Sequence, residues 1–369
     1  MEMVRYFQDF LSEIRLTQSQ KDECKSGHET LRQRLRDDET LSPLILTTLL
    51  QGSYRRSTGV RPEESEKADV DVIVVTSLDK EKTTPDQALK KFVPFLDEHY
   101  KGKYEIQGRS IGIELSYVKL DLVPTATDLH DAVQAARYHD IWAAASRIQE
   151  DFDDDDSLLR SSLLAVSRKG FNSPLFIPDR EVKQWVRTHP VAQIAWTMEK
   201  NAKCNTHYIN VVKAIKWWRR VNHPTPEHPK SYPLEHIVGD CCPDNTPSVA
   251  KGVTEALEEI ADRYKLEAMT QQTPFLADRG VPEHDVLKRV DGKDFAAFYE
   301  QACDAAKTAR KALEAQSKHE SAELWRKLFG KEFPEAPPDD RGGNDGDSGG
   351  KGGYTKRDQE TRLDQRRFA

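Results

Sequence analysis

The apolar positions change period along the chain, and the change divides it. From Tyr6 to about Leu50 they recur at helical spacing through YFQDFLSEIRL and ETLRQRLRDD, which predicts two helices before any strand. ILTTLLQGS then runs from an apolar stretch into a turn of small residues. ADVDVIVVTS alternates and is rich in β-branched residues, a strand. TPDQALKKFVPFLDEHY predicts a helix beginning after Thr84 and Pro85, and IGIELSYVKLDLVPT a pair of strands or one long bent strand. From about residue 179 the 3.6-residue period takes over. DREVKQWVRTHPVAQIAWTMEKNAK, HYINVVKAIKWWRRVNH, PSVAKGVTEALEEIADRYKLE, KDFAAFYEQACDAAKTARKALEAQ and SAELWRKLF all read as helices. The expected organisation is α+β: residues 1–180 as a mixed lobe with the N-terminal helices, and residues 181–334 as a helical lobe.

Two stretches lack such a pattern. Around EDFDDDDS the periodicity weakens, as in a solvated loop or insertion. Residues 335–369, rich in Gly, Pro and Asp, hold too few apolar groups to offset chain entropy, so a disordered tail is expected.

Composition narrows the class. The formal net charge of −7 provides no overall electrostatic footprint for wrapping DNA or RNA, though a local basic groove stays open. The amphipathic, acid-bearing N-terminus is unlike a signal peptide, and no apolar run is long enough to cross a bilayer. Five cysteines form an odd, irregular set, which suits free thiols in a reducing cytoplasm.

The alternation in ADVDVIVV puts Asp69 and Asp71 on one face of the strand and Val70, Val72 and Val74 on the other. Two carboxylates aimed at one point repel unless a cation lies between them. Asp121 alternates with Leu120 and Leu122 on a later strand. If the strands are neighbours, Asp69, Asp71 and Asp121 converge to hold two divalent cations about 3.5–4 Å apart, the arrangement of phosphoryl and nucleotidyl transfer. Mg2+ is the expected metal, with Mn2+ an alternative. Just upstream, Gln51, Gly52 and Ser53 form a small-residue turn suited to phosphate oxygens, with Arg55 or Arg56 near enough to meet phosphate charge. On a helix through NVVKAIKWWRRVN, Val211, Ile215 and Trp218 face a core, while Lys213, Lys216 and Arg220 form a basic stripe facing outward or into a cleft.

The glycine-serine turn, the D-x-D strand and the later single Asp resemble the polymerase-β-like nucleotidyltransferases. LQGSYRRSTGVRP, ADVDVIVVT, QGRSIGIELSYVKLDLV, RTHPVAQIAWTMEKNAKCNTHYINVVKAIKWWRR, KSYPLEH, GVPEHDVLKR and the terminal RFA extend the likeness over nearly the whole chain. Here it is similar to the bacterial cGAS/DncV-like nucleotidyltransferases (CD-NTases) of CBASS anti-phage systems, clade D above all. The resemblance implies a Mg2+-dependent synthase that uses ATP and GTP, with a cyclic AMP-AMP-GMP type product that activates an effector. It implies that Lys213 and Lys216 hold the donor triphosphate, Ser231 a phosphate oxygen, and that Tyr232 stacks on a base. It also implies that an E1/E2-like ligase conjugates the C-terminus at Ala369. No DNA is expected to be required, because the long basic N-terminal extension of the animal relatives is lacking. A cyclic dinucleotide synthase and a linear transferase acting on RNA are the alternatives, and the carboxylate triad does not separate them.

Two further features carry less. His236, Cys241 and Cys242 echo a zinc segment of the animal relatives but lack a fourth ligand at short spacing. His284 and Asp285 read as a loop capping the next helix.

Overall fold

The computed structural model describes residues 1–63, 66–126, 174–222, 224 and 228–336. The acid run, the tail and Ala369, the expected conjugation site, lie outside these residues. All but a few of the first half's elements follow the predicted order: α1 (Val4–Ile14), α2 (Gln18–Asp37), β1 (Ile45–Gln51), the single turn α3 (Gly52–Arg55), β2 (Ala68–Thr76), α4 (Pro85–Lys90), α5 (Val93–His99), β3 (Tyr104–Ile106), β4 (Ile111–Glu114) and β5 (Val118–Pro124). The helix expected after Thr84 is two helices, with Pro94 in the first turn of the second. Proline removes an N–H donor and is tolerated only in a first turn, so the chain restarts there. The long strand region is a pair of antiparallel strands, β4 and β5.

The sheet has strand order β1-β2-β5-β4-β3, with β2 and β5 parallel in the middle and the other pairings antiparallel. One face, carrying Val70, Val72, Val74, Leu120 and Leu122, is covered by α2, α4 and α5 through Leu31, Leu35, Leu89, Phe92 and Leu96. The other face changes character along β2. Asp69 and Asp71 share it with Ile73 and Val75, and only the last two are covered, by Leu49, Val123, Val191 and Ile194. The apolar half of that face therefore anchors the strand while the acidic half stays open.

From residue 174 the chain continues with Leu175–Asp179 (β6) and Gln184–Thr188 (β7), which form a hairpin, and α6 (Pro190–Lys203) starts only after it. The continuous helix predicted from Asp179 is thus corrected. Pro190 is the first helical residue, capped by the His189 ring, whose Nδ1 accepts from the Ala192 N–H at 3.2 Å. Then follow α7 (Tyr208–Asn222), α8 (Ser231–Cys241), α9 (Val249–Arg263), α10 (Lys265–Met269), α11 (Gly292–Glu314) and α12 (Lys318–Phe329). Their apolar stripes meet in one core, and α1 joins it rather than the sheet. Phe7 and Phe10 lie against Trp325, Phe329 and Phe333, with Phe10 stacked 4.5 Å from Phe329. The first helix therefore packs among the later helices rather than against the sheet. No helix among the described residues is long and apolar enough to cross a membrane.

Candidate active site

β2 and β5 are neighbours in register, with Asp71 opposite Asp121 and Asp69 opposite Lys119. This pairing is what brings the three carboxylates together: one oxygen from each of Asp69, Asp71 and Asp121 lies within 4.8 Å of the others. Burial raises all three carboxyls. Asp69 is pushed up to about 6, with Asp121 adding to the effect, and Asp71 to about 7, with Asp69 and Asp121 adding. Asp121 Oδ1 is buried and accepts no hydrogen bond from the described residues. Hard oxygen donors, mutual repulsion and an unsatisfied carboxylate oxygen fit a divalent cation. Lys119 is a cationic neighbour of the triad, its Nζ 4.0 Å from Asp69 and 3.9 Å from Asp121, beyond hydrogen-bond length. Lys119 was missed in the sequence, although its place two residues before Asp121 puts it on the same face.

The glycine-serine turn abuts the triad. Gln51, at the end of β1, pairs with Asp71, and Gly52 follows with φ +73°. A Cβ on Gly52 would stand 1.7 Å from Asp71 Oδ2. Glycine is needed twice over there, for the left-handed backbone and for the close approach. Ser53 is held by its carbonyl, which accepts from Thr58 N–H at 2.9 Å and Gly59 N–H at 3.2 Å. On the other side of Asp121 a groove of about 450 Å³ is lined by Lys67, Lys103, Tyr104, Gln107, Gly112 and Lys119.

The basic residues separate into two groups. Lys213 is half-buried on α7, and burial, with Arg15, Lys21 and Lys216 nearby, pushes it down to about 7. A lysine desolvated among other cations is poised to gain from an anion. Lys216 departs from the expected outward or cleft-facing stripe: it is buried, and its ammonium bonds the Glu235 carboxylate and, at 3.2 Å, the Thr58 carbonyl. Arg56 is also buried, with Nε donating to Glu235 at 3.0 Å. Burial would raise Glu235, yet Lys216 and Arg56 hold it down at about 2. The helical period shows a stripe but not a carboxylate arriving from another helix, and this is why the sequence misplaced Lys216. Ser231 is exposed at the start of α8. Tyr232 is half-buried, its hydroxyl donating to Asp278 at 2.6 Å and its ring 5.1 Å from the Arg56 guanidinium.

The lesser features resolve as local structure. Cys242 Sγ lies 4.0 Å from Cys204 Sγ, whereas Cys241 is beside Tyr264 and Arg263, so the adjacent thiols diverge. Asp285 does not cap the next helix. It accepts from Leu276 and Leu287 N–H groups inside its own loop, and Asp291 caps α11 through the Lys293 N–H at 2.8 Å.

Residues 1–150 match the family described as Second Messenger Oligonucleotide or Dinucleotide Synthetase domain. Over 353 residues the chain is 42% identical to a cyclic AMP-AMP-GMP synthase of Enterobacter hormaechei subsp. hoffmannii (strain UCI 50), covering 90% of this chain and 92% of that protein. It is 28% identical over 338 residues to a cyclic AMP-AMP-AMP synthase of an Acinetobacter species, covering 90% of this chain and 86% of that protein. Among solved structures, E. coli MS115-1 CdnC with ATP superposes with a TM-score of 0.63 at 17% identity, over 90% of this chain and 100% of that one. Vibrio cholerae DncV with a linear intermediate gives a TM-score of 0.61 at 14% identity, over 90% and 97%. These two likenesses are of fold.

Proposed function

We propose that this chain, which belongs to the bacterial cGAS/DncV-like nucleotidyltransferases, joins ATP and GTP into a cyclic AMP-AMP-GMP type trinucleotide. The 3′-hydroxyl of one nucleotide attacks the α-phosphate of another, pyrophosphate leaves, and the last such step closes the ring. The observation that carries the reading is the convergence of Asp69, Asp71 and Asp121 beside a turn that has no room for a side chain at Gly52.

Asp69, Asp71 and Asp121 would hold Mg2+. When bound, it supplies a Lewis acid that lowers the pKa of the attacking hydroxyl and offsets charge on the triphosphate. The protein's own share is positioning and charge. Gln51, Gly52 and Ser53 would present the donor phosphates to the triad, and Lys213, desolvated beside Arg15, Lys21 and Lys216, would meet the far end of the triphosphate. Ser231 would add a hydroxyl, and Tyr232, fixed by Asp278, a rigid aromatic surface for a base. The groove beside Asp121 leaves room for the acceptor nucleotide, whose 3′-hydroxyl Asp121 would orient. On this reading, synthesis is expected without added DNA.

The test is incubation of purified protein with the four labelled ribonucleoside triphosphates and Mg2+, followed by phosphatase treatment and mass spectrometry, beside Asp69→Asn and Asp71→Asn. A phosphatase-resistant cyclic trinucleotide is expected, with turnover down about a thousandfold or more in both variants. Products that phosphatase degrades completely would instead identify a linear transferase, and a strict requirement for added duplex would contradict the DNA-independent reading.

A further inference from the structure

Arg56 and Lys216 are the two basic side chains of the phosphate region that the fold has already neutralised. Both end on Glu235, the fifth residue of α8, which is buried. Glu235 Oε2 accepts from Arg56 Nε at 3.0 Å, and Oε1 accepts from Thr58 Oγ1 at 2.9 Å and from the Lys216 ammonium. Lys216 Nζ also reaches the Thr58 carbonyl at 3.2 Å. From behind, the Tyr208 hydroxyl donates to the Glu235 carbonyl at 3.1 Å. Two helices of the helical lobe, α7 and α8, thus grip the segment just after α3 through one carboxylate.

What that segment holds gives the grip its meaning. The N–H groups of Thr58 and Gly59 both donate to the Ser53 carbonyl, and the Arg56 N–H donates to the Gly52 carbonyl at 3.1 Å. Gly52 in turn touches Asp71 so closely that no Cβ fits. A continuous set of contacts therefore runs from Glu235 through Arg56 and Thr58 to Ser53, Gly52 and the triad. Removing one partner of a buried charge pair leaves the other uncompensated, so such contacts hold their partners in place even where they add little net stability. We propose that Glu235 is a positioning residue for nucleotidyl transfer: through Arg56, Lys216 and Thr58 it sets the phosphate-binding turn against the carboxylate triad. The proposal rests on the synthase reading, and it withdraws Arg56 and Lys216 from direct contact with phosphate.

Three variants test it: Glu235→Gln, the charge-balanced Glu235→Gln/Lys216→Met, and Thr58→Val. The double variant keeps the summed charge of the trio at its wild-type value and supplies a second measurement where the single substitution lowers the folded fraction. The readouts are the Kd for α,β-methylene-ATP with Mg2+ and the KM and kcat for cyclic product, each per folded molecule and below the melting transition. A slack turn raises Kd and KM about tenfold or more in both Glu235 variants, and less in Thr58→Val. A purely structural carboxylate would change only the folded fraction. Wild-type-like Kd and kcat in the folded double variant, together with an unaffected Thr58→Val, would overturn the proposal. Wild-type protein that binds the analogue but yields no cyclic product would overturn the synthase reading alone.

Discussion

At the scale of single residues the site is built from close approaches. Gly52 is the sharpest. With φ at +73° and Asp71 Oδ2 1.7 Å from where a Cβ would stand, Gly52→Ala forces the turn and the carboxylate apart. It should lower turnover to about 1% or less and cost about 1–3 kcal/mol of stability. Synthesis assays and thermal melts of the variant check both. A variant that keeps wild-type turnover would show the turn to be unimportant for placing phosphate. Lys119 acts in the opposite sense: near 4 Å from two carboxylates, it softens their repulsion without closing a hydrogen bond.

At the scale of elements, α1 is the unexpected partner of the helical lobe. Its Phe10 is fully buried and stacked on Phe329 from α12, with Phe7 edge-on to Trp325. Phe10→Ala should cost about 3–5 kcal/mol, and the loss of hydrogen-exchange protection should fall first on α1, α7 and α12 rather than on β2 and β5. Uniform loss across the sheet would contradict that assignment. The aromatic cluster matters for function because α7 also carries Lys213 and Lys216, so what steadies its apolar side steadies its basic side.

At the scale of the whole molecule, the triad couples metal, pH and stability. The carboxyl of Asp71 lies near 7 and that of Asp69 near 6, both above an unfolded Asp. A raised carboxyl stabilises the fold below its unfolded pKa and loses that contribution as pH rises through the folded value. Mg2+ binds the ionised form, so the rise in Tm on adding Mg2+ should grow between pH 6.5 and 8, by about 3–6 °C. Lys213, pushed down to about 7, titrates in the same window with the opposite sign, gaining stability as pH rises. The Mg2+ increment, rather than the raw Tm, is therefore the quantity to compare. Asp71→Asn should remove most of the increment and melt higher than wild type without metal at pH 8. An increment independent of pH would show that the carboxylates are already ionised.

The local chemistry is legible in the order of the amino acids. Period-two alternation put Asp69 and Asp71 on one face and Asp121 on a second strand, small residues marked the turn at Gly52, and the helical periods announced the second lobe, because each of these signals is carried by neighbours in the chain. The hairpin at Leu175–Asp179 and Gln184–Thr188 was misread because a short strand pair next to a long helix leaves a weak local pattern. That β5 lies beside β2, that α1 packs on α12, and that Glu235 faces Arg56 and Lys216, residues 179 and 19 positions away, emerges only from the folded chain. A carboxylate that neutralises a lysine from another helix leaves no periodic trace in the sequence, since the pairing depends on how the helices cross and not on their own spacing.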